Sequence, residues 1–255
     1  MPSIQIDEDA GVRYLQFGAH WIQGAMRINR PWALELEYSR DMMFALLLHG
    51  GGWPRSILQI GLGAGSIAKF LYRYRPRARI EVVEIDPEVI MTAWQYFKLP
   101  EESPRFRIEI GDGYRYVADC RKRFDLILLD GFDAKAEAGR MDSPAFYRYC
   151  RARLAPNGIL VANLIGKRRR PVESIERIRK VFDGRVLALP PNEVNTIAIA
   201  PVDSAIQVGL DGLQSRARRL KVDTGLDLMP TLTRLLKSRA ASQASRLKAA
   251  LDPLR

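Results

Sequence analysis

Ten residues, Ile57-Leu-Gln-Ile-Gly-Leu-Gly-Ala-Gly-Ser66, restrict what this chain can fold into more than any other stretch. A short apolar run stops at Gly61, Gly63 and Gly65 and passes into a helical pattern. Glycine lets a backbone turn tightly and approach a ligand closely. Ile80-Glu-Val-Val-Glu84 then reads as a second buried strand ending on a carboxylate. An acid at that position can grip two ribose hydroxyls. The glycine run and Glu84 together predict a nucleoside-containing ligand lying across the carboxyl ends of parallel strands. A third strand end repeats the pattern at Gly111-Asp112-Gly113.

The rest of the chain supplies the alternation that such a sheet needs. Ile4, Ile6, Val12, Tyr14, Leu15 and Phe17 fall in short β-rich runs within residues 3–30, broken by turn residues as hairpins require. Leu34, Tyr38, Met42, Ala45 and Leu48 recur at helical spacing and predict a helix from Pro31 to His49. Beyond Gly50-Gly-Gly-Trp-Pro54, strands are expected at 57–60, 80–84, 106–110, 124–129 and 159–165. Helices are expected at 65–74, 87–97, 114–120, 143–154 and 172–181, with a turn at Asn157-Gly158. Segments 185–189 and 196–200 read as late, antiparallel edge strands. Strands alternating with helices define an α/β fold, a doubly wound, mostly parallel, Rossmann-like sheet. Leu213–Leu251 reads as two amphipathic helices interrupted by Pro230, packing on the sheet or on another subunit. The expected organisation is a small β element and linking helix over 1–50, a nucleoside-binding catalytic domain over 51–205 and a helical extension over 206–255.

Composition narrows the function classes. A chain of 255 residues with 47% hydrophobic content fits one large α/β domain with small additions. No run of eighteen apolar residues exists to span a membrane. The start, Met1-Pro-Ser-Ile-Gln-Ile-Asp-Glu-Asp, lacks the basic-then-apolar order of a secretory signal. Cys120, Cys150 and two histidines have no metal-ligand spacing. A cytoplasmic protein without disulfides or metal is expected. The net charge of +11 raises the question of a polyanionic partner. The basic clusters Lys167–Arg170 and Arg216–Lys221 carry no interleaved aromatics for stacking bases. Nucleic acid is therefore the disfavoured partner, and solvated basic helix faces the favoured reading.

Chemistry concentrates at the strand ends. Asp130 follows the apolar run Leu126-Ile-Leu-Leu129 and emerges into the crevice, and Asp133, three residues on, faces the same space from the loop. With Glu84 and Asp112 they line up acids at successive strand ends, which suits a cationic ligand better than it suits solubility.

The motifs Gly61-Leu-Gly-Ala-Gly-Ser66, Val83-Glu-Ile-Asp86, Ile110-Gly-Asp-Gly113 and Asp130-Gly-Phe-Asp133 are similar in order and spacing to those of the spermidine/spermine synthase family, the polyamine aminopropyltransferases. Ser143-Pro-Ala-Phe-Tyr147 and Leu154-Ala-Pro-Asn-Gly158 extend the resemblance, which covers about residues 55–165 well and 4–50 more loosely. It implies the fold of class I S-adenosylmethionine-dependent methyltransferases, preceded by a small β domain. It also implies that Glu84 binds the ribose hydroxyls, Asp112 the adenine amino group, and Gln23 another part of the nucleoside, beside Gly61, Gly63, Gly65 and Gly113. Asp130 would be the base and anchor for the attacking amine, assisted by Asp133 and Tyr38, with Asn163 facing that amine. The co-substrate would be decarboxylated S-adenosylmethionine, the acceptor a small-molecule polyamine substrate, a diamine such as putrescine, and the assembly a homodimer.

The chain departs from the family pattern at three places. Ala64 stands where an aspartate usually holds the aminopropyl ammonium. Tyr38 is followed by Ser39-Arg40-Asp41, without the usual acid two positions on. Leu189-Pro-Pro-Asn-Glu-Val-Asn195 lacks a tyrosine that lines the amine channel, with Glu193 as the one candidate to compensate. Ala64 keeps open a methyltransferase that uses intact S-adenosylmethionine, against which stands Gln59 in place of a strand-end acid. A non-catalytic nucleoside-binding homologue is the third reading.

Overall fold

A computed structural model describes residues 4–17, 21–132, 138–166, 169–192, 194–203 and 208–251. The chain opens with three antiparallel strands, β1 (Ile4–Asp9), β2 (Val12–Phe17) and β3 (Trp21–Arg27), in sequence order. Ala10 and Gly11 join β1 to β2 with φ of 47° and 76°, the two-residue hairpin geometry that matches strand twist. Leu15 and Met26 on this sheet pack with Ala64 and Phe97. The small sheet therefore rests on the glycine loop.

The helix expected over Pro31–His49 is shorter. Helix α1 covers Glu37–Met42 and continues as a 3-10 turn over Met43–Leu47. Residues 31–36 form turns that bridge the two sheets, with Glu35 held by the Arg27 guanidinium. Met42 through Leu47 are all buried, so the 3-10 portion has no polar face for periodicity to mark.

Seven strands make the second sheet: β4 (Ser56–Ile60), β5 (Arg79–Glu84), β6 (Phe106–Ile110), β7 (Phe124–Leu129), β8 (Leu154–Ile165), β9 (Leu187–Ala188) and β10 (Asn195–Pro201). Their spatial order is β6-β5-β4-β7-β8-β10-β9. The first five run parallel, and β10 pairs antiparallel with both β8 and β9. Alternate residues of the central strands enter different cores: Ile57, Leu126 and Leu128 on one face, Leu58 and Ile127 on the other. Burial on both faces explains their unbroken apolar runs. The expected turn at Asn157-Gly158 is instead an irregularity within β8, whose pairing with β7 steps from Phe124↔Leu154 to Leu126↔Ile159.

Helices α2 (Ser66–Tyr74), α3 (Pro87–Phe97), α4 (Gly113–Asp119), α5 (Pro144–Arg153) and α6 (Arg169–Val181) connect the strands. Asp86, Asp112 and Ser143 cap α3, α4 and α5, each accepting a backbone N–H from the first turn. Each cap contributes about 1 kcal/mol.

After β10, α7 (Leu210–Thr224) ends at Gly225 and α8 (Met229–Leu251) begins. Pro230 thus opens the second helix, a first-turn position that tolerates proline, and left-handed Gly225 closes the first. Leu220, Leu228, Leu232 and Leu235 join the core that holds Leu46 and Leu47. Asp41, 1% exposed, ties α8 down: it accepts hydrogen bonds from Thr231 Oγ1 at 2.6 Å, Arg234 at 2.5 Å and Asn192 Nδ2 at 2.8 Å. Burial raises the Asp41 carboxyl, while Thr231 and Arg234 pull it back. Among the described residues no helix is long and apolar enough to cross a membrane.

Candidate active site

The carboxyl ends of β4, β5, β6 and β7 come level because their backbones are in register there. Gly61 N donates to Val83 O, Gly111 N to Glu84 O and Asp130 N to Ile60 O, each at 2.9 Å. Gly61, Glu84, Asp112 and Asp130 therefore face one crevice, the usual ligand position in an open α/β sheet. The cavity there measures about 640 Å³, within the range that encloses a small-molecule ligand.

Two glycines are required by close approach as well as by turning. Gly61 has φ +89°, and a Cβ there would lie 2.4 Å from the Asp130 carbonyl oxygen. Gly63 has φ +53°, and its Cβ would lie 2.6 Å from the Gln23 carbonyl oxygen. The glycine loop is thus wedged between β7 and the small sheet, with Gln23 on the cavity wall. Gly65 turns the chain into α2 beneath Leu99 and does not line the cavity, so its part is steric.

Glu84 joins the loop to the strand end. Its carboxylate accepts from Leu62 N at 2.8 Å and from Asp86 N at 3.0 Å. Burial still raises its carboxyl above the ordinary value, and the amide bonds only moderate that. Asp112 uses one oxygen to cap α4, accepting from Tyr114 N at 2.8 Å. Its other oxygen lies 4.0 Å from the Arg140 guanidinium, which stacks 4.2 Å from the centre of the Tyr114 ring. Gly113 starts α4 against Ile60, where a Cβ would meet Ile60 Cγ2 at 2.4 Å.

Asp130 has two hydrogen-bond donors from distant parts of the chain. Tyr38 Oη, on α1, donates to Oδ2 at 3.3 Å, and Asn163 Nδ2, on β8, donates to Oδ1 at 2.9 Å. Asn163 is itself oriented by Asn195 Nδ2, which donates to its Oδ1 at 2.9 Å. Burial pushes the Asp130 carboxyl up to about 7, with the Glu84 charge adding to the rise and the Asn163 and Tyr38 hydrogen bonds opposing it. Burial and the same Asp130 charge hold the Tyr38 hydroxyl well above its usual pKa. Asp130 is thus a carboxyl that changes protonation near neutral pH, in a recessed site with fixed donors.

The cavity wall carries Glu35, Glu37, Glu84, Asp112 and Asp130, and among the described residues lining it Arg140 is the one cation. On a chain of net charge +11, this is an acidic hollow in a basic body.

The structure therefore brings Gln23, Tyr38, Gly61, Gly63, Glu84, Asp112, Gly113, Asp130 and Asn163 to one cavity. Asp133 and Glu193 lie outside the described residues. Sequence reasoning missed Asn195 and Arg140. Asn195 could have been found only from the β8–β10 register. The signal for Arg140 was a lone arginine shortly before the capping Ser143.

The chain belongs to the spermine/spermidine synthase family, whose spermine/spermidine synthase domain matches residues 35–180. A polyamine aminopropyltransferase from Neisseria meningitidis serogroup A is 37% identical over 238 residues, covering 93% of this chain and 90% of that protein. The family and the transferase class expected from the motifs both hold. A solved probable spermidine synthase from Corynebacterium glutamicum superposes with a TM-score of 0.73 at 21% identity, over 86% of this chain and 83% of its own. Human methyltransferase-like protein 13, solved in complex with SAH, gives a TM-score of 0.66 at 23% identity over 74% of this chain and 92% of its own. These two likenesses bear on the fold, and they agree with the expected Rossmann-like α/β class.

Proposed function

We propose that this chain transfers an aminopropyl group from decarboxylated S-adenosylmethionine to a diamine such as putrescine. The observation that carries the reading is Asp130, raised toward neutrality and held by Tyr38 and Asn163 beside the Glu84-bound glycine loop. In this reading Glu84 and Gln23 hold the nucleoside, Asp112 and Gly113 border the adenine, and Asp130 receives the amine, with Asp133 as a further acid.

The chemistry asks for alignment and for one proton acceptor. The donor's sulfonium is already a good leaving group, so the residues need to line up nitrogen, carbon and sulfur. A primary ammonium has a pKa of about 10.4 and attacks only after losing its proton. A carboxylate first attracts this cation and then takes its proton. With the Asp130 carboxyl at about 7, the gap between acid and base is about three units, against more than six for an ordinary aspartate. Nitrogen then bonds to the methylene carbon, the carbon–sulfur bond breaks, and methylthioadenosine leaves.

Methyl transfer from intact S-adenosylmethionine is the second reading, favoured by Ala64. The acidic lining argues against it, because the intact donor carries a carboxylate and Arg140, the described cation on the wall, is engaged with Asp112 and Tyr114. Purified protein incubated with each donor plus putrescine, cadaverine or spermidine decides the matter through the nucleoside product. Methylthioadenosine is expected. S-adenosylhomocysteine would establish methyl transfer, and donor binding without either product would establish a non-catalytic homologue. The reading carries with it a cytoplasmic homodimer, which fractionation and sedimentation test.

A further inference from the structure

A second, smaller recess of about 10 Å³ lies behind Asp130 and under the glycine loop, the size of one water-sized group. Its walls include Gln59, Ala64, Ser66, Ser39, Tyr38 and Asp130, and it shares Tyr38 and Asp130 with the main cavity. Gln59 is 1% exposed. Its Nε2 donates to the Gly61 carbonyl at 2.7 Å, which determines which end of the amide is which, since two carbonyl oxygens do not pair. Its Oε1 is buried with no hydrogen-bond donor among the described residues.

The hydroxyls of the wall do not serve it. Ser66 Oγ donates to the Ala25 carbonyl at 2.9 Å, Ser39 Oγ to the Leu36 carbonyl at 2.7 Å, and Tyr38 Oη to Asp130. What these groups leave facing the recess is lone pairs. An ammonium head has three donors and no acceptor, so it complements such a wall better than a water does.

We propose that Gln59 is a specificity-determining residue, its Oε1 accepting a hydrogen bond from the ammonium that ends the donor's aminopropyl arm, in the recess beside Ala64. This rests on the aminopropyl-transfer reading above. Asp130 supplies the charge and Gln59 the direction. An intact donor would bring its carboxylate, on the same carbon as the ammonium, against Asp130, so the recess also selects the decarboxylated form.

Calorimetric titration of wild type, Gln59→Met and Gln59→Leu with decarboxylated S-adenosylmethionine and with methylthioadenosine, which lacks the arm, tests the proposal. The variants should bind the donor about tenfold more weakly, the scale of one hydrogen bond to a charged group, and methylthioadenosine unchanged. Equal weakening of both ligands would mean that the amide acts only through Gly61, and no weakening of either would leave it without a role; both results overturn the proposal. Should neither variant fold, a crystal structure of the wild-type donor complex decides: the arm nitrogen within hydrogen-bond distance of Oε1 supports it, and a water there with the nitrogen elsewhere overturns it. A wild type that binds no donor removes the underlying function instead, and is seen before any variant is compared.

Discussion

Asp130 is held in a state that costs the empty fold stability. Its carboxyl is raised from 3.8 to about 7, so the native state binds a proton that the unfolded chain has already released between those values. Stability from this group is therefore lost as pH rises from about 4 to about 7. Asp130→Asn keeps an oxygen for Asn163 and removes the buried charge. It should stabilise the ligand-free protein at pH 8 by up to about 4 kcal/mol and leave it little changed at pH 4, as denaturant unfolding at the two pH values would show. The same variant should lose turnover by about two orders of magnitude or more, the usual scale for a general base, a larger loss than the weakening of donor affinity that follows from removing the charge beside the donor's arm. Unchanged turnover would remove Asp130 from the role of base.

At the scale of elements, the site is completed from outside the large sheet. The small sheet covers the glycine loop through Gln23 and Gly24, and α1 delivers Tyr38. Helix α1 is in turn fastened to α8 and to the turn before β10 by Asp41, through Thr231, Arg234 and Asn192. Asp41→Ala would leave Arg234 with Glu37 as its remaining ion-pair partner and strip Thr231 Oγ1 and Asn192 Nδ2 of the buried oxygens they donate to. Leaving buried donors unsatisfied costs about 1–3 kcal/mol, or roughly 2–12 °C in melting temperature for a chain of this size. Calorimetry checks the shift. Because Asn192 lies on the cavity wall, the surviving folded protein should also show a raised KM for the amine with a smaller change in kcat.

The whole molecule sets a basic body against an acidic cavity, and the two act over different distances. At about 10 mM salt the screening length is about 30 Å, and a cationic amine feels the full +11 of the chain. At about 150 mM it falls to about 8 Å, and the approaching amine feels chiefly the cavity carboxylates. The kcat/KM for the amine should therefore rise between these concentrations, as initial rates in a salt series would reveal. A fall over that range would mean that the acidic cavity governs the encounter even at long range.

The chain's local patterns determined its fold class, its family and four of the strand-end groups. Apolar runs, glycines and the acids that follow them are short-range features, and a parallel sheet places every strand end on one side. Tertiary structure alone decided how those groups are partnered. Tyr38 and Asp130 are 92 residues apart, Asp41 and Thr231 190. Asn195 meets Asn163 only because β10 pairs with β8 in one particular register. The length of α1, the turn made by residues 31–36 and the orphan oxygen of Gln59 also follow from what packs around them. Spacing along a chain records which residues share an element, whereas hydrogen bonds between elements depend on docking and register, which no local pattern encodes.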